Sequence, residues 1–166
     1  MEKFITNSFE ETQNAGAEFA RQILRQNPLP AGRQVAKQAV VLALSGDLGA
    51  GKTTFLQGFA KGLGIKENIL SPTFIIMKKF KIPPKTYYQN ERSSTLVAKY
   101  FYHFDLYRLE SKKDLEFLDF QEIISNPENI MAIEWPEKIS TLLPKAAIKI
   151  DFKHLEENKR ELTVGR

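Results

Sequence analysis

The sequence predicts an α/β fold in which a mixed central β-sheet is flanked by helices, and three observations carry that reading. An apolar run, Ala39-Val40-Val41-Leu42-Ala43-Leu44, reads as a buried strand. It passes through Gly46-Asp47-Leu48-Gly49-Ala50-Gly51-Lys52-Thr53 into the helix-like stretch Thr53-Thr54-Phe55-Leu56-Gln57-Gly58-Phe59. Elsewhere, helical periodicity and strand-like stretches both occur. Few helices but several hairpin-like strands follow the glycine loop, which favours a mixed sheet over a purely parallel one.

The totals narrow the class. A chain of 166 residues, 42% of them hydrophobic, suits one well-packed domain spanning 1–166. There is no apolar stretch of about 18 residues, so no membrane span is expected. Met1-Glu2-Lys3-Phe4-Ile5-Thr6 lacks the apolar core of an export signal. The absence of Cys removes disulfides, thiolate metal sites and cysteine nucleophiles together, and it fits a reducing cytoplasm. The formal charge of +4 comes from 24 basic against 20 acidic residues, a mixed surface and not a basic stripe. No internal repeat or low-complexity segment is present.

The elements follow in order. Phe4-Ile5-Thr6 reads as a short strand. Ser8 and Glu11 form an S-x-x-E capping box, behind which Phe9, Thr12, Ala20, Ile23 and Leu24 keep helical spacing, so 9–26 is one amphipathic helix. Asn27-Pro28-Leu29-Pro30-Ala31-Gly32 breaks it and opens a loop over 27–38. Strand 39–45, the glycine loop and a helix over 52–62 come next, closed by Gly62 and Gly64. Two β-rich stretches, 73–80 and 95–104, flank the polar segment 82–94 and read as an extended hairpin. Residues 112–125 mix charged and apolar side chains as a surface helix does. Asn129-Ile130-Met131-Ala132-Ile133 is a short buried strand. Residues 147–152 alternate, and 160–164 can pair with them across a turn near Glu157-Asn158.

The glycine loop carries the clearest chemistry. Its glycines let backbone N–H groups turn inward around a phosphate chain, and the helix N-terminus adds partial positive charge. Asp47, Gly49, Ala50, Gly51, Lys52, Thr53 and Thr54 are thus the expected nucleotide-binding residues, with Lys52 on the β- and γ-phosphates and the Thr53 hydroxyl on Mg²⁺. Hydrolysis requires further oxygen ligands and a group that places the attacking water. Three segments can supply them. Ser71-Pro72-Thr73-Phe74 sets a Thr hydroxyl at a strand start. His103-Phe104-Asp105-Leu106-Tyr107-Arg108 closes a strand, with alternation placing His103, Asp105 and Tyr107 on one face. Ile130-Met131-Ala132-Ile133-Glu134-Trp135-Pro136-Glu137 is an apolar strand ending in an acid, the Walker B layout with Glu134 where Asp is usual. The duller readings are an ordinary turn at Ser71-Pro72-Thr73, a surface ion pair of Asp105 with Arg108, a structural His103 and a core Trp135.

Together Gly46–Thr54, Ser71-Pro72-Thr73-Phe74, His103–Arg108 and Ile133-Glu134-Trp135-Pro136-Glu137 resemble, in order, the blocks of the TsaE (YjeE) family, with similarity from about Phe4 to Val164. That family comprises small bacterial P-loop ATPases needed for threonylcarbamoyladenosine formation in tRNA. The resemblance implies a P-loop NTPase-like three-layer domain, ATP with Mg²⁺, slow hydrolysis, and partnership with TsaB and TsaD homologues, which modify the tRNA. The chain would then be a nucleotide-driven switch on that synthase, meeting tRNA only through the complex. By position, Thr53, Asp105 and Glu134 are the metal-side groups, directly or through water. Lys52, Asp105 and Glu134 are the catalytic candidates, with Glu134 as the Walker-B-type acid. Trp135 lies near the nucleotide, and Thr73 and His103 are switch-like. The 27–38 loop and the 82–94 segment are longer than the family pattern, and surface insertions of this kind cost little stability.

Two other readings compete. A small-molecule P-loop kinase shares the glycine loop but needs an Arg-rich lid, and 82–94 carries only Arg92. An RNA-binding module would use Tyr87, Tyr88, Tyr100, Phe101 and Tyr102 beside Lys81, Lys85, Arg92 and Lys99, although aromatics alternating along a strand more often face the core.

Overall fold

The computed structural model describes residues 2–26, 38–71, 75–84 and 98–165. Strand β1 (Glu2–Thr6) leads into helix α1 (Phe9–Gln26), then come β2 (Val40–Ser45), α2 (Lys52–Gly62), β3 (Met77–Lys81) and β4 (Tyr100–Asp105). Helix α3 (Phe120–Ser125), β5 (Asn129–Glu134), β6 (Ile148–Glu156) and β7 (Lys159–Gly165) complete the chain. Short 3-10 stretches cover Lys112–Leu118 and Pro136–Leu142.

The strands form a 7-stranded sheet in the order β1-β7-β6-β2-β5-β4-β3. Strand β2 runs parallel to β5 and β6, and β4 runs parallel to β5. The β1–β7, β6–β7 and β3–β4 pairs are antiparallel. The sheet is mixed, as the hairpin-like strands led us to expect. The 73–80 and 95–104 stretches do pair, as β3 and β4.

Local chemistry explains the ends of α1. Ser8 Oγ accepts the Glu11 N–H at 3.0 Å, and Glu11 reaches back to the Asn7 N–H at 2.7 Å. The Ser8 contact is the N-cap half of a capping box, while Glu11 reaches the N–H of Asn7, one residue before the cap, and not that of Ser8.

Helices α1 and α2 pack against each other on one face of the sheet. Gly58 makes this close approach possible, since a Cβ there would lie 1.8 Å from the Gln13 carbonyl oxygen. On this face Phe55 and Phe59 of α2 meet Leu42, Leu44, Phe101, Ile130 and Ile150 from the strands. The alternate residues Val41, Tyr102, Phe104, Met131 and Ile133 point to the other face, against Phe120, Ile123 and Ile139. The central strands are buried on both sides, which is why their sequences are near-continuous apolar runs. Each fully buried large side chain contributes roughly 1.5–3 kcal/mol.

Three sequence expectations need correction. Residues 112–125 are not one helix: Asp119 adopts a left-handed backbone (φ 51) between the 3-10 stretch and α3. The alternating charge and apolar pattern serves two short helical stretches interrupted at Asp119. Strand 73–80 begins later, at Met77, because Ile76 also has a positive φ of 60. Tyr107 lies beyond β4 in a turn, so strand alternation does not set its direction. The body of the 27–38 loop, the 82–94 segment from 85 onward, Thr73, Tyr87 and Tyr88 lie outside the described residues. Phe101 and Tyr102 are buried, which removes them from any base-stacking surface. Among the described residues no helix is long and apolar enough to cross a membrane.

The parallel strands β2, β4 and β5 all end at the same edge. Leu44 and Glu134 are register partners, as are Asp105 and Glu134. In open α/β sheets ligands bind outside the carboxyl ends of parallel strands, and here two acids meet the glycine loop at that edge.

Candidate functional site

The loop between β2 and α2 turns on Asp47 and Gly51. Ala50 N–H donates to the Asp47 carbonyl at 3.1 Å, and Gly51 sits at φ 103, a left-handed conformation that glycine adopts without a Cβ penalty. No side chain caps the start of α2, so its first N–H groups have no side-chain acceptor, the arrangement that suits an anion.

Lys52, the first residue of α2, is only 4% exposed. Its ammonium donates to the carbonyls of Gly46 (2.6 Å) and Asp47 (2.9 Å) and lies 4.3 Å from the centroid of the Trp135 ring. Burial holds its pKa below the ordinary lysine value, and the charges of Glu134, Asp105, Glu137 and Asp47 oppose that shift.

Glu134 is the hub on the other side. Its Oε1 accepts the Thr53 hydroxyl at 2.9 Å and lies 2.9 Å from His103 Nε2. Asp105, on the adjacent strand, accepts the Ser71 hydroxyl at Oδ2 and the Tyr107 N–H at Oδ1 (3.0 Å). Asp105 is buried, so the surface ion-pair reading does not describe it.

Trp135 follows β5 with a positive φ of 61, while its N–H still reaches the Leu44 carbonyl at 3.3 Å. The left-handed step ends the strand, and the indole packs 5.1 Å from the Tyr107 ring.

These groups enclose a cavity of about 410 Å³. Gly49, Ala50, Gly51, Lys52, Thr53, Thr54, Asp105, Glu134 and Trp135 all line it. Asp47 contributes a carbonyl to Lys52 instead of a wall, and His103 is wholly buried behind Glu134. Ser71, Tyr107 and Arg108 also line the cavity and were not among the expected site residues. Their membership in the Ser71–Phe74 and His103–Arg108 segments was the available sign. A larger cavity of about 520 Å³ lies beside Gln13, Gln57 and Lys61. There Gln13, Gln57 and Lys61 satisfy one another, Gln13 bonding Gln57 at 2.9 Å and Lys61 bonding Gln13 at 3.1 Å.

Among the described residues no group of three His, Cys, Asp or Glu side chains could hold a metal ion by itself. The oxygens of Thr53, Glu134 and Asp105 are nevertheless hard donors gathered at one cavity. That set fits Mg²⁺, which is usually held by one or two carboxylates together with substrate phosphates and not by an all-protein cage.

A family model for threonylcarbamoyl adenosine biosynthesis protein TsaE matches residues 6–162. The chain belongs to the TsaE family. The matched span includes every residue that lines the glycine-loop cavity. Among relatives described as tRNA threonylcarbamoyladenosine biosynthesis protein TsaE, that of Rickettsia bellii is 34% identical over 157 residues, covering 94% of this chain and 89% of the relative. The TsaE of Bacillus subtilis is 38% identical over 128 residues, covering 77% and 70%. A crystal structure of Bacillus subtilis YdiB is similar with a TM-score of 0.62 at 31% identity, covering 98% of this chain and 83% of that one.

Proposed function

We propose that this TsaE-family chain is a Mg²⁺-dependent ATPase with a P-loop NTPase-like domain, acting in threonylcarbamoyladenosine modification of tRNA. It would work in the cytoplasm as a nucleotide-driven switch on a synthase built from TsaB and TsaD homologues, with tRNA met through that complex. The observation that carries the reading is the convergence of Lys52, Thr53, Asp105 and Glu134 on one cavity beside the glycine loop.

The residues divide the work. Backbone N–H groups of the loop and the start of α2 would take the phosphates. Lys52 would exchange the Gly46 and Asp47 carbonyls for phosphate oxygens, its lowered pKa being countered once anionic charge enters. Thr53, Asp105 and Glu134 would hold Mg²⁺, directly or through water, and the metal would neutralise charge on the transferring phosphoryl group. Glu134 would also be the candidate for orienting an attacking water. Asp105 is kept in one orientation by Ser71 and the Tyr107 N–H. Trp135 and Tyr107, in ring contact, would supply an aromatic wall beside the nucleotide. No arginine finger is set by motif, so turnover is expected to be slow until a partner completes the site.

A titration with ATP and GTP, with and without Mg²⁺, tests this directly by Trp135 fluorescence and calorimetry. Binding of ATP with metal dependence, followed by hydrolysis that rises when the synthase partners are added, is the expected result. Fast hydrolysis without any partner would count against the switch. Arg108 at the cavity favours a kinase as the second reading. Phosphoryl transfer to a small acceptor, faster than hydrolysis, would establish it.

A further inference from the structure

We infer that His103 is a positioning residue whose Nε2–H pins the Glu134 carboxylate against Thr53, leaving Oε2 as the oxygen that serves the cavity. The inference rests on the nucleotide reading of that cavity and adds a residue to it.

The geometry begins with register. His103 and Asp105 share a face of β4, and Asp105 stands opposite Glu134 of β5. The His103 ring therefore reaches along the sheet toward the acid from behind, and it has no solvent exposure. Glu134 Oε1 takes both contacts, Thr53 Oγ1 at 2.9 Å and His103 Nε2 at 2.9 Å. Among the described residues Glu134 Oε2 has no hydrogen-bond partner, while Glu134 lines the cavity.

The proton position follows from what surrounds the other ring nitrogen. His103 Nδ1 is buried with no hydrogen-bond partner. A buried N–H without an acceptor is a rarer and costlier orphan than a buried lone pair. The proton therefore belongs on Nε2, where a carboxylate oxygen accepts it, and a carboxylate oxygen has lone pairs enough for Thr53 as well.

The second donor matters because the last torsion of a Glu side chain is broad and roughly two-fold. With Thr53 alone, the carboxylate can turn and exchange its oxygens. Donors from two directions fix which oxygen faces the site. A side chain serving only to fill space beneath Glu134 would need no nitrogen.

Two variants and one spectrum test this. His103→Leu keeps volume and removes the donor, whereas His103→Gln keeps an N–H near the Nε2 position. Long-range proton–nitrogen correlation of the nucleotide-free protein reads the tautomer directly, and His154 is the only other histidine to be assigned. We expect the Nε2–H tautomer. We also expect kcat for ATP to fall about 10-fold or more in His103→Leu, as for other groups that orient a ligand from behind, with metal-free ATP affinity unchanged and most activity restored in His103→Gln. An Nδ1–H tautomer, or wild-type kcat in a folded His103→Leu protein, overturns the inference. If His103→Leu does not fold, His103→Asn replaces it: its shorter amide cannot reach Glu134, so activity equal to that of His103→Gln overturns the inference too. A wild-type protein that neither binds nor hydrolyses ATP defeats the nucleotide reading, and the tautomer spectrum still decides whether His103 donates to Glu134.

Discussion

The ammonium of Lys52 rests 4.3 Å from the centre of the Trp135 ring while it bonds the carbonyls of Gly46 and Asp47. The cation that the glycine loop would offer to phosphate is thus occupied by its own loop and by an aromatic face. A cation–π contact of this kind is worth about 0.5–2 kcal/mol, small beside a multiply charged phosphate chain. Ligand entry should therefore release Lys52 and alter the surroundings of the indole together.

Trp135 fluorescence should report this release. ATP is expected to change the emission of the wild-type protein. Lys52→Met should begin from a different baseline and respond weakly or not at all. An unchanged baseline in Lys52→Met would separate the ring from the lysine in solution. Since Trp135 is the only Trp, emission spectra before and after ATP suffice.

The depressed pKa of Lys52 has a stability consequence with a definite sign. Between the lowered folded value and 10.5, the unfolded chain binds more protons than the folded one, so stability rises with pH through that window. Below it, keeping Lys52 charged and buried costs stability. Urea denaturation of wild type and Lys52→Met across alkaline pH should show the wild type gaining relative to the variant as pH rises. A constant difference would contradict the burial effect.

Glu134→Gln removes the charged acceptor shared by Thr53 and His103. Hydrolysis is expected to drop on the order of 10²-fold or more, the usual contribution of a positioned acid or base. ATP binding should persist, since the glycine loop and Lys52 are intact. Asp105→Asn should weaken the metal dependence of binding as well as the rate. Single-turnover assays beside calorimetry separate these effects, and unaltered hydrolysis in both variants would remove the two acids from the chemistry.

Gly58→Ala tests the helix pair. The added methyl would meet the Gln13 carbonyl oxygen at 1.8 Å, which forces α1 and α2 apart. A net destabilisation of about 1–3 kcal/mol is expected from overpacking, despite the better helix propensity of Ala. Denaturant midpoints measure it, and a stabilised variant would mean that α1 shifts freely on α2.

Much of the site was legible because its signals are local. The glycine loop, the acid ending an apolar strand and the S-x-x-E box at Ser8–Glu11 each lie within a few residues, where backbone geometry and side-chain reach are tightly linked. What escaped depends on distant segments meeting. Ser71 reaches Asp105 from another part of the chain, and no pattern near Ser71 announces it. The Lys52–Trp135 and Thr53–Glu134 contacts required β2 and β5 to be neighbours, a fact of topology that periodicity could not supply. The break at Asp119 was invisible for another reason: a left-handed non-glycine residue interrupts a helix without a Gly or Pro to mark it.

The pairing of β1 with β7 bears on the order in which the molecule assembles. Among the described residues strand β1 pairs only with β7, with Thr6 opposite Arg160 and Glu2 opposite Val164. During synthesis the first strand therefore emerges long before its sole partner exists. Helix α1, whose capping contacts need only residues 7–11, can form at once, whereas the edge strand just ahead of it must wait until β7 has been made. Docking of β1 therefore depends on β7 being made first, and a chain halted between β6 and β7 would leave an open sheet edge on β6.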